Sequence, residues 1–507
     1  MNKNFYITTP IYYPSAEFHI GHCYTTIIAD SIARYKRLSG YDVYFQTGTD
    51  EHGLKIETKA KEKGVTPKQY TDEIIENAKD LWKSLGISYD YFIRTTDEDH
   101  KEKVQKIFNK LYEQGDIYKS EYKGLYCVPC ESFWTSSQLV EGKCPDCNRS
   151  VELVKEESYF FKLSKYQEKL EKFYMDNPEF LLPFSRKNEM LNNFIKPGLE
   201  DLCVSRTSFK WGIPVTFDPE HVIYVWIDAL TNYITSLGYP DNLDKFNKYW
   251  PADLHLVGKE IVRFHAIIWP ALLLALDLPL PKQVFGHGWL IIDGDKISKS
   301  KGNYKDPREY LKEYGVDAVR YFALREVSFG NDGNFSEKAL ITRTNGDLVN
   351  VLGNLVSRTI QMAIKYFDGN ISNKNVVEDI DTDLLNSKNS LLSIVDEKMK
   401  YYKVNEALDV IFDVLRKCNK YIDETTPWLL AKDDSKIGRL ETVLYNLLDT
   451  IRVCAVILQA FIPETAEKIL SSLDIEKANY ENLYDIVDNY SLGLEKPKNL
   501  FDRINEE

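Results

Sequence analysis

Residues 5–50 read FYITTPIYYPSAEFHIGHCYTTIIADSIARYKRLSGYDVYFQTGTD, and this stretch decides the fold. The run 5–9 is β-rich and is expected to stop at Pro10, which has no amide to give a ladder. A polar loop through Ser15 and Glu17 follows. From Gly21 onward Tyr24, Ile27, Ile28, Ile32 and Tyr35 recur at helical spacing, and Gly40 suits the helix end. Val43, Tyr44 and Phe45 open a second strand that leads into Thr47-Gly48-Thr49-Asp50. Strand, loop, helix and strand make a βαβ unit, which implies a parallel sheet. Ligands of such sheets gather beyond the carboxyl ends of the strands, where the loop 10–22 lies.

Outward from this unit the texture changes twice. Turn residues, aromatic residues and paired cysteines run from about residue 120 to Arg149, and a strand-rich region continues to Trp226. The apolar run 266–276 restores α/β character, and 289–292 reads as another strand. From Asp347 the chain reads as helical, with Leu348, Leu352, Leu355, Val356, Thr359 and Ile360 on one face. The pattern is an α-bundle appended to an α/β enzyme core. The length of 507 residues suits roughly three domains.

Hydrophobic residues at 43% and charged residues at 28% exclude wholesale disorder. The run 266–276 contains Pro270, ends at Asp277 and falls short of the roughly 18–20 residues of a membrane span. The first residues lack the apolar stretch of a signal peptide, so a soluble, cytoplasmic protein is expected. With 64 basic and 77 acidic residues the formal charge is −13, which argues against nonspecific coating of nucleic acid. A local basic surface for a nucleic-acid partner remains compatible with that balance.

Cys127-Val128-Pro129-Cys130 and Cys144-Pro145-Asp146-Cys147 form two C-x2-C pairs, which offer four thiolates in tetrahedral geometry. Zinc in a closed structural site is the expected occupant; a disulfide pair and a four-thiolate iron site are the alternatives. Cys23, Cys203, Cys418 and Cys454 are scattered and read as reduced packing residues.

Two further segments carry chemistry. His19-Ile20-Gly21-His22 sits where the first loop meets its helix, and a helix N-terminus suits phosphate. Either imidazole can donate to phosphoryl oxygens, or one can be a core residue in a chance tetrapeptide. Residues 293–303, DGDKISKSKGN, alternate lysines with hydroxyl residues between two glycines. Such a loop can bring ammonium groups onto a polyphosphate, although most lysine runs are solvated surface.

Together, His19-Ile20-Gly21-His22 and Lys296-Ile297-Ser298-Lys299-Ser300 resemble the HIGH and KMSKS signatures of class I aminoacyl-tRNA synthetases, with Ile297 in place of Met. Within that class the local words are similar to the methionyl-tRNA synthetase family. They are residues 9–14 (TPIYYP), 48–53 (GTDEHG), 224–229 (YVWIDA) and 258–265 (GKEIVRFH), together with Pro427-Trp428.

The resemblance implies a Rossmann-type parallel-sheet catalytic domain with a zinc-binding insertion, followed by an all-α anticodon-binding bundle. The expected boundaries are 1–115 and 226–295 for the catalytic halves, 116–225 for the insertion, 296–346 for the lysine loop and stem-contact region, and 347–507 for the bundle. It implies that Ile11, Tyr13, Trp226, Tyr233, Ile261, Phe264 and His265 line a methionine pocket, with Asp50 on the amino group. Aromatic walls suit a polarizable thioether, and a carboxylate suits an ammonium. ATP would meet His19, Gly21, His22, Gly258, Glu260, Lys296, Ser298 and Lys299, where Glu260 replaces the Asp frequent in the family. His19, His22, Lys296 and Lys299 would be the catalytic set, and Mg2+ would accompany the nucleotide. Asn354, Arg358 and Trp428 match positions that read the tRNA(Met) anticodon, and Cys127, Cys130, Cys144 and Cys147 would bind zinc.

The implied reaction is attack of the methionine carboxylate on the α-phosphorus of ATP, then transfer of the methionyl group to a terminal ribose hydroxyl of tRNA. A class I ligase for cysteine, leucine, isoleucine or valine is one alternative. The stretch 116–225 is too short for both a large editing domain and the cysteine pairs, and no zinc ligand falls among the amino-acid pocket residues. A noncatalytic RNA-binding protein is the other, against which both charged motifs argue. A monomer is expected.

Overall fold

The computed structural model describes residues 3–128, 132–134, 139–145, 147–292, 295–296, 305–327, 330–476, 478–494 and 498–505. The opening βαβ unit is present as β1 (Asn4–Tyr12), α1 (Ile20–Leu38) and β2 (Asp42–Thr49), with β3 (Tyr91–Arg94) beyond it. These strands belong to a six-stranded sheet in the order β3, β2, β1, Leu254–Gly258, Val284–His287, Leu181–Leu182. Every pairing in it is parallel. The inner strands are buried on both faces, as apolar strands covered by helices must be.

The order reverses at β1. Its neighbour on one side is β2, next in the chain; on the other it is Leu254–Gly258, from much later. A crevice opens at such a reversal, beyond the carboxyl ends of the strands. The stop expected at Pro10 is corrected: β1 runs on to Tyr12. Its register with β2 shifts between Thr8 and Ile11, and Pro10 falls inside that irregularity, where the ladder asks for no amide. Gly48 of β2 is hemmed by β3, since a Cβ there would lie 2.1 Å from the Ile93 carbonyl oxygen.

Two smaller sheets follow. One orders Ser132–Trp134, Ile117–Cys127, Glu152–Phe161 and Leu202–Cys203; the other joins Ile213–Val215, Asp218–Ile223 and Ser205–Arg206. The helical region begins at Glu337, ahead of the expected Asp347, because Ser336 caps a helix there by accepting from the Ala339 amide. The predicted face from Leu348 to Ile360 is buried. Helix Ile437–Leu458 is buried on every side from Arg439 onward and forms the bundle's axis.

Arg320, on helix Val316–Arg325, joins bundle to sheet. It donates to Asp30 of α1 at 2.7 Å, to the Leu85 carbonyl and to the Phe461 carbonyl, and both partners of the ion pair are fully buried. Among the described residues, no helix is long and apolar enough to cross a membrane.

Candidate active site

At the reversal point lies a cavity of about 480 Å3. Its walls are the carboxyl ends predicted from the fold: Pro10 to Tyr13 at the end of β1, Asp50 after β2, Gly258 and Glu260 at the end of Leu254–Gly258, and His287 to Leu290 at the end of Val284–His287. The start of α1 supplies His19, Gly21, His22 and Thr25, and Val225, Trp226, Ala229, Leu230, Tyr233, Ile261, Phe264 and His265 close the far side. Every residue expected in the methionine pocket (Ile11, Tyr13, Asp50, Trp226, Tyr233, Ile261, Phe264 and His265) lines this one space.

The two histidines of the first motif are fixed by the helix they begin. His19 is the N-cap of α1, and its Nδ1 accepts from the Gly21 amide at 3.1 Å. Nδ1 of His22 accepts from the His19 amide at 3.0 Å, which closes a reciprocal capping box built from imidazoles. An Nδ1 that accepts leaves the ring proton on Nε2. Both rings are therefore neutral Nε2–H donors. His22 keeps some surface open to the cavity but is otherwise enclosed, stacked on Phe18 and edge-on to Tyr12. That desolvation, with the neighbouring His19 ring, pushes its pKa well below the ordinary imidazole range.

The opposite wall is polar only where it is paired. The Tyr233 hydroxyl lies 2.7 Å from His265 Nε2, and His265 Nδ1 lies 3.0 Å from the Ile261 carbonyl. A carbonyl only accepts, so Nδ1 carries the proton and Tyr233 donates to Nε2. Burial pushes His265 down to about 4. Trp226 meets Phe264 edge-on with centroids 4.4 Å apart, which completes an apolar box. The segment is moored to the sheet through Tyr6, whose hydroxyl reaches Gln46 at 2.6 Å and the Tyr233 carbonyl at 2.9 Å, and through Gln46 to Asn232 at 2.6 Å.

Gly258 and Glu260 stand together at the nucleotide end. A Cβ on Gly258 would lie 2.6 Å from the Glu260 carboxylate, so a larger residue there would displace that side chain. That carboxylate accepts from the Trp289 indole at 2.6 Å. The backbone of Lys296 pairs with Ile291, one residue from the cavity-lining Leu290, so the strands leading into the second motif start at the cavity wall. The side chain of Lys296, and all of Ser298 and Lys299, lie outside the described residues.

Several lining residues carry no motif. Thr25 and His287 face each other at 2.9 Å, Lys55 lies over the Tyr13 ring, and Trp289 reaches Glu260. A signal for His287 to Leu290 lies in their place at the end of Val284–His287, a strand of the parallel sheet that the sequence pattern did not mark out. Thr25 and Lys55 gave no comparable signal.

Away from the cavity, the Sγ atoms of Cys127, Cys144 and Cys147 lie within 4.8 Å of one another, with Cys127 and Cys147 3.5 Å apart. A disulfide holds its sulfurs at about 2.05 Å, whereas Zn–S bonds of about 2.3 Å in a tetrahedron set them near 3.8 Å. The geometry fits three thiolates around a metal ion. Cys130 lies outside the described residues. The other cysteines, Cys23, Cys203, Cys418 and Cys454, are buried and, among the described residues, form no disulfide.

In the bundle, Asn354 and Arg358 share an exposed face of helix Asn354–Phe367, and Trp428 is 41% exposed. Arg358 approaches Asp423 at 3.7 Å, near the end of helix Val404–Thr425 and just ahead of Trp428.

Residues 5–152 and 149–360 match the family described as tRNA synthetases class I (M), and 372–507 match the anticodon-binding domain of methionyl tRNA ligase. The chain is 61% identical over 482 residues to the methionine–tRNA ligase of Clostridium acetobutylicum, covering 95% of this chain and 75% of that protein. Its fold matches Mycobacterium tuberculosis methionyl-tRNA synthetase in complex with methionyl-adenylate with a TM-score of 0.95 and 42% identity, over 99% of this chain and 100% of that one. The free state of the mycobacterial enzyme matches with a TM-score of 0.88 and 39% identity, over 100% and 99% of the two chains. The chain therefore belongs to the methionyl-tRNA synthetase family, the class I ligases that join methionine to its tRNA.

Proposed function

We propose that the switch-point cavity activates L-methionine with ATP, and that its walls divide that work between them. The thioether enters the box of Trp226, Tyr233, Phe264 and His265, bounded by Ile11, Tyr13 and Ile261, and the ammonium meets Asp50. The single observation that carries this reading is that one cavity holds both the aromatic box and the paired imidazoles of α1.

The methionine carboxylate is already ionised at neutral pH, so attack on the α-phosphorus needs alignment and charge stabilisation, with no general base. The Nε2–H groups of His19 and His22 donate to phosphoryl oxygens, and Gly21 leaves the helix start open to the nucleotide. Gly258 and Glu260 hold the ribose side. Lys296, Ser298 and Lys299 close on the polyphosphate and stabilise departing pyrophosphate. A neutral imidazole donor adds no fixed charge, so the cationic share of the stabilisation falls to the lysines and to Mg2+, which would neutralise the polyphosphate.

A terminal ribose hydroxyl of tRNA(Met) then takes the methionyl group from the adenylate. Asn354 and Arg358 offer hydrogen bonds to splayed anticodon bases, and Trp428 offers a stacking face. Cys127, Cys144 and Cys147, with Cys130, would hold one zinc ion that organises the knuckle without entering the chemistry. Arg263 packs on both Trp134 beside the knuckle and Phe264 of the cavity, which favours the knuckle as a neighbour of the site. The cytoplasm, as a monomer, is the setting this reading assigns.

Exchange of labelled pyrophosphate into ATP tests the assignment. Stimulation by methionine, lost in Asp50→Asn, is expected; stimulation by leucine or cysteine in its place would overturn it.

A further inference from the structure

Asp50, Glu51 and His52 are consecutive, yet each leaves the turn in a different direction. Asp50 lines the cavity. Glu51 turns back to Arg94, which holds both carboxylate oxygens at 2.7 Å. His52 goes sideways, placing Nδ1 2.6 Å from Asp228 Oδ2. Asp228 ends the helical turn Val225–Asp228, which carries Trp226, and its other oxygen lies 3.0 Å from Nε2 of His100 on helix Glu98–Glu113. His100 Nδ1 in turn lies 2.7 Å from Thr235 Oγ1. Among the described residues, neither imidazole nor the Asp228 carboxylate borders the cavity. They stand behind its walls.

We propose that His52 is a positioning residue for methionine: its Nδ1–H to Asp228 fixes the separation between Asp50 and the Trp226 wall. This rests on reading Asp50 and Trp226 as the amino-group and side-chain subsites.

The chemistry favours a stiff link. Burial alone would raise the Asp228 pKa, but the facing His52 and His100 hold it down at about 2, so the carboxylate is ionised at any working pH. Hydrogen bonds to an ionised, buried carboxylate are short and directional. The other charges near the link are engaged elsewhere. Lys103 holds Asp99 and the Thr235 carbonyl, Asp97 accepts from the Arg94 amide, and Glu51 and Arg94 pair with each other. Trp211 packs edge-on against His52 at 5.4 Å and donates its indole N–H to the Glu51 carbonyl, which fixes the ring from behind. Because His100 still pairs Asp228, removing His52 releases the spacing without orphaning a buried charge.

The test is pyrophosphate exchange with KM measured separately for each substrate. His52→Ala is expected to raise the methionine KM roughly tenfold, the size of one lost charge-assisted hydrogen bond, and to leave the ATP KM within about twofold. His52→Asn, whose amide nitrogen takes the place of Nδ1, is expected to restore the methionine KM to within about threefold. An unchanged methionine KM in His52→Ala would overturn the proposal, as would parallel loss for both substrates or failure of His52→Asn to rescue. Should His52→Ala not fold, His52→Asn against His52→Gln, whose amide reaches past the Nδ1 position, carries the test, and equal methionine KM values overturn it. Asp50→Asn separates the two readings. If it leaves the methionine KM unchanged while His52→Ala raises it, the subsite assignment fails; the reverse pattern retires the clamp.

Discussion

At the sheet's carboxyl edge Tyr233 and His265 are 1% and 4% exposed and share a 2.7 Å hydrogen bond. At the end of the bundle Trp428 is 41% exposed, and Arg358 has its carboxylate neighbour 3.7 Å away. Under the proposed function, the first region would keep a small ligand's partners rigid before the ligand arrives, and the second would offer open side chains to a large one. A buried polar wall must satisfy itself, so its geometry is settled by folding. An exposed arginine or indole is solvated until a partner covers it, and contributes little to stability until then. The difference predicts where substitutions are felt: in folding and activation at the edge, in tRNA selection at the bundle.

The largest effect belongs to the joint between the regions. Arg320→Ala leaves the Asp30 carboxylate buried without its main partner, and chemical denaturation should show a loss of about 3–5 kcal/mol. Next comes His22→Ala, which removes the donor proposed for the phosphates and opens the capping box. Single-turnover adenylate formation should slow by about 10²–10³ at saturating methionine. On the bundle, Trp428→Ala should lower kcat/KM for tRNA charging by the about 1–3 kcal/mol of one stacked base, while pyrophosphate exchange stays at the parent level. An equal loss in both assays would erase the distinction between the regions.

The pH dependence of stability sharpens it. His265 has its pKa depressed from 6.5 to about 4, so the unfolded chain takes up a proton before the folded one does. Stability should therefore fall as pH drops from 6.5 toward 4, by about 1.4 kcal/mol per pH unit for that group. His22 and His255 shift in the same direction. Asp228 contributes with carboxylate behaviour: its stabilisation is full above 3.8 and is lost only as pH falls toward about 2. Urea titrations of His265→Gln should show a shallower acid slope between those limits, and no comparable change is expected for Trp428→Ala.

Much of this arrangement was legible in residues 5–50, because period and spacing are local properties. The alternation of strand and helix named the parallel sheet, and the sheet named the edge where ligands sit. Pro10 misled because a proline forbids a ladder amide, yet the register shift at that position asks for none. His19 and His22 were visible as a pair, but that each Nδ1 caps the helix and leaves an Nε2 proton is a fact of geometry. Lys55 enters the site alone, and His287 with Trp289 from a single strand end far along the chain, so no period reveals them. The link of Asp228 to His52 and His100 was invisible for a further reason: the partners are separated by long stretches of chain, and only the fold makes them neighbours.

The account stands most directly on a crystal structure with a non-hydrolysable methionyl-adenylate analogue. It predicts the ammonium within hydrogen-bond reach of Asp50, the thioether among Trp226, Tyr233, Phe264 and His265, and the phosphoryl oxygens facing Nε2 of His19 and His22. An adenylate seated outside this cavity, or with its phosphate turned away from the start of α1, would contradict it.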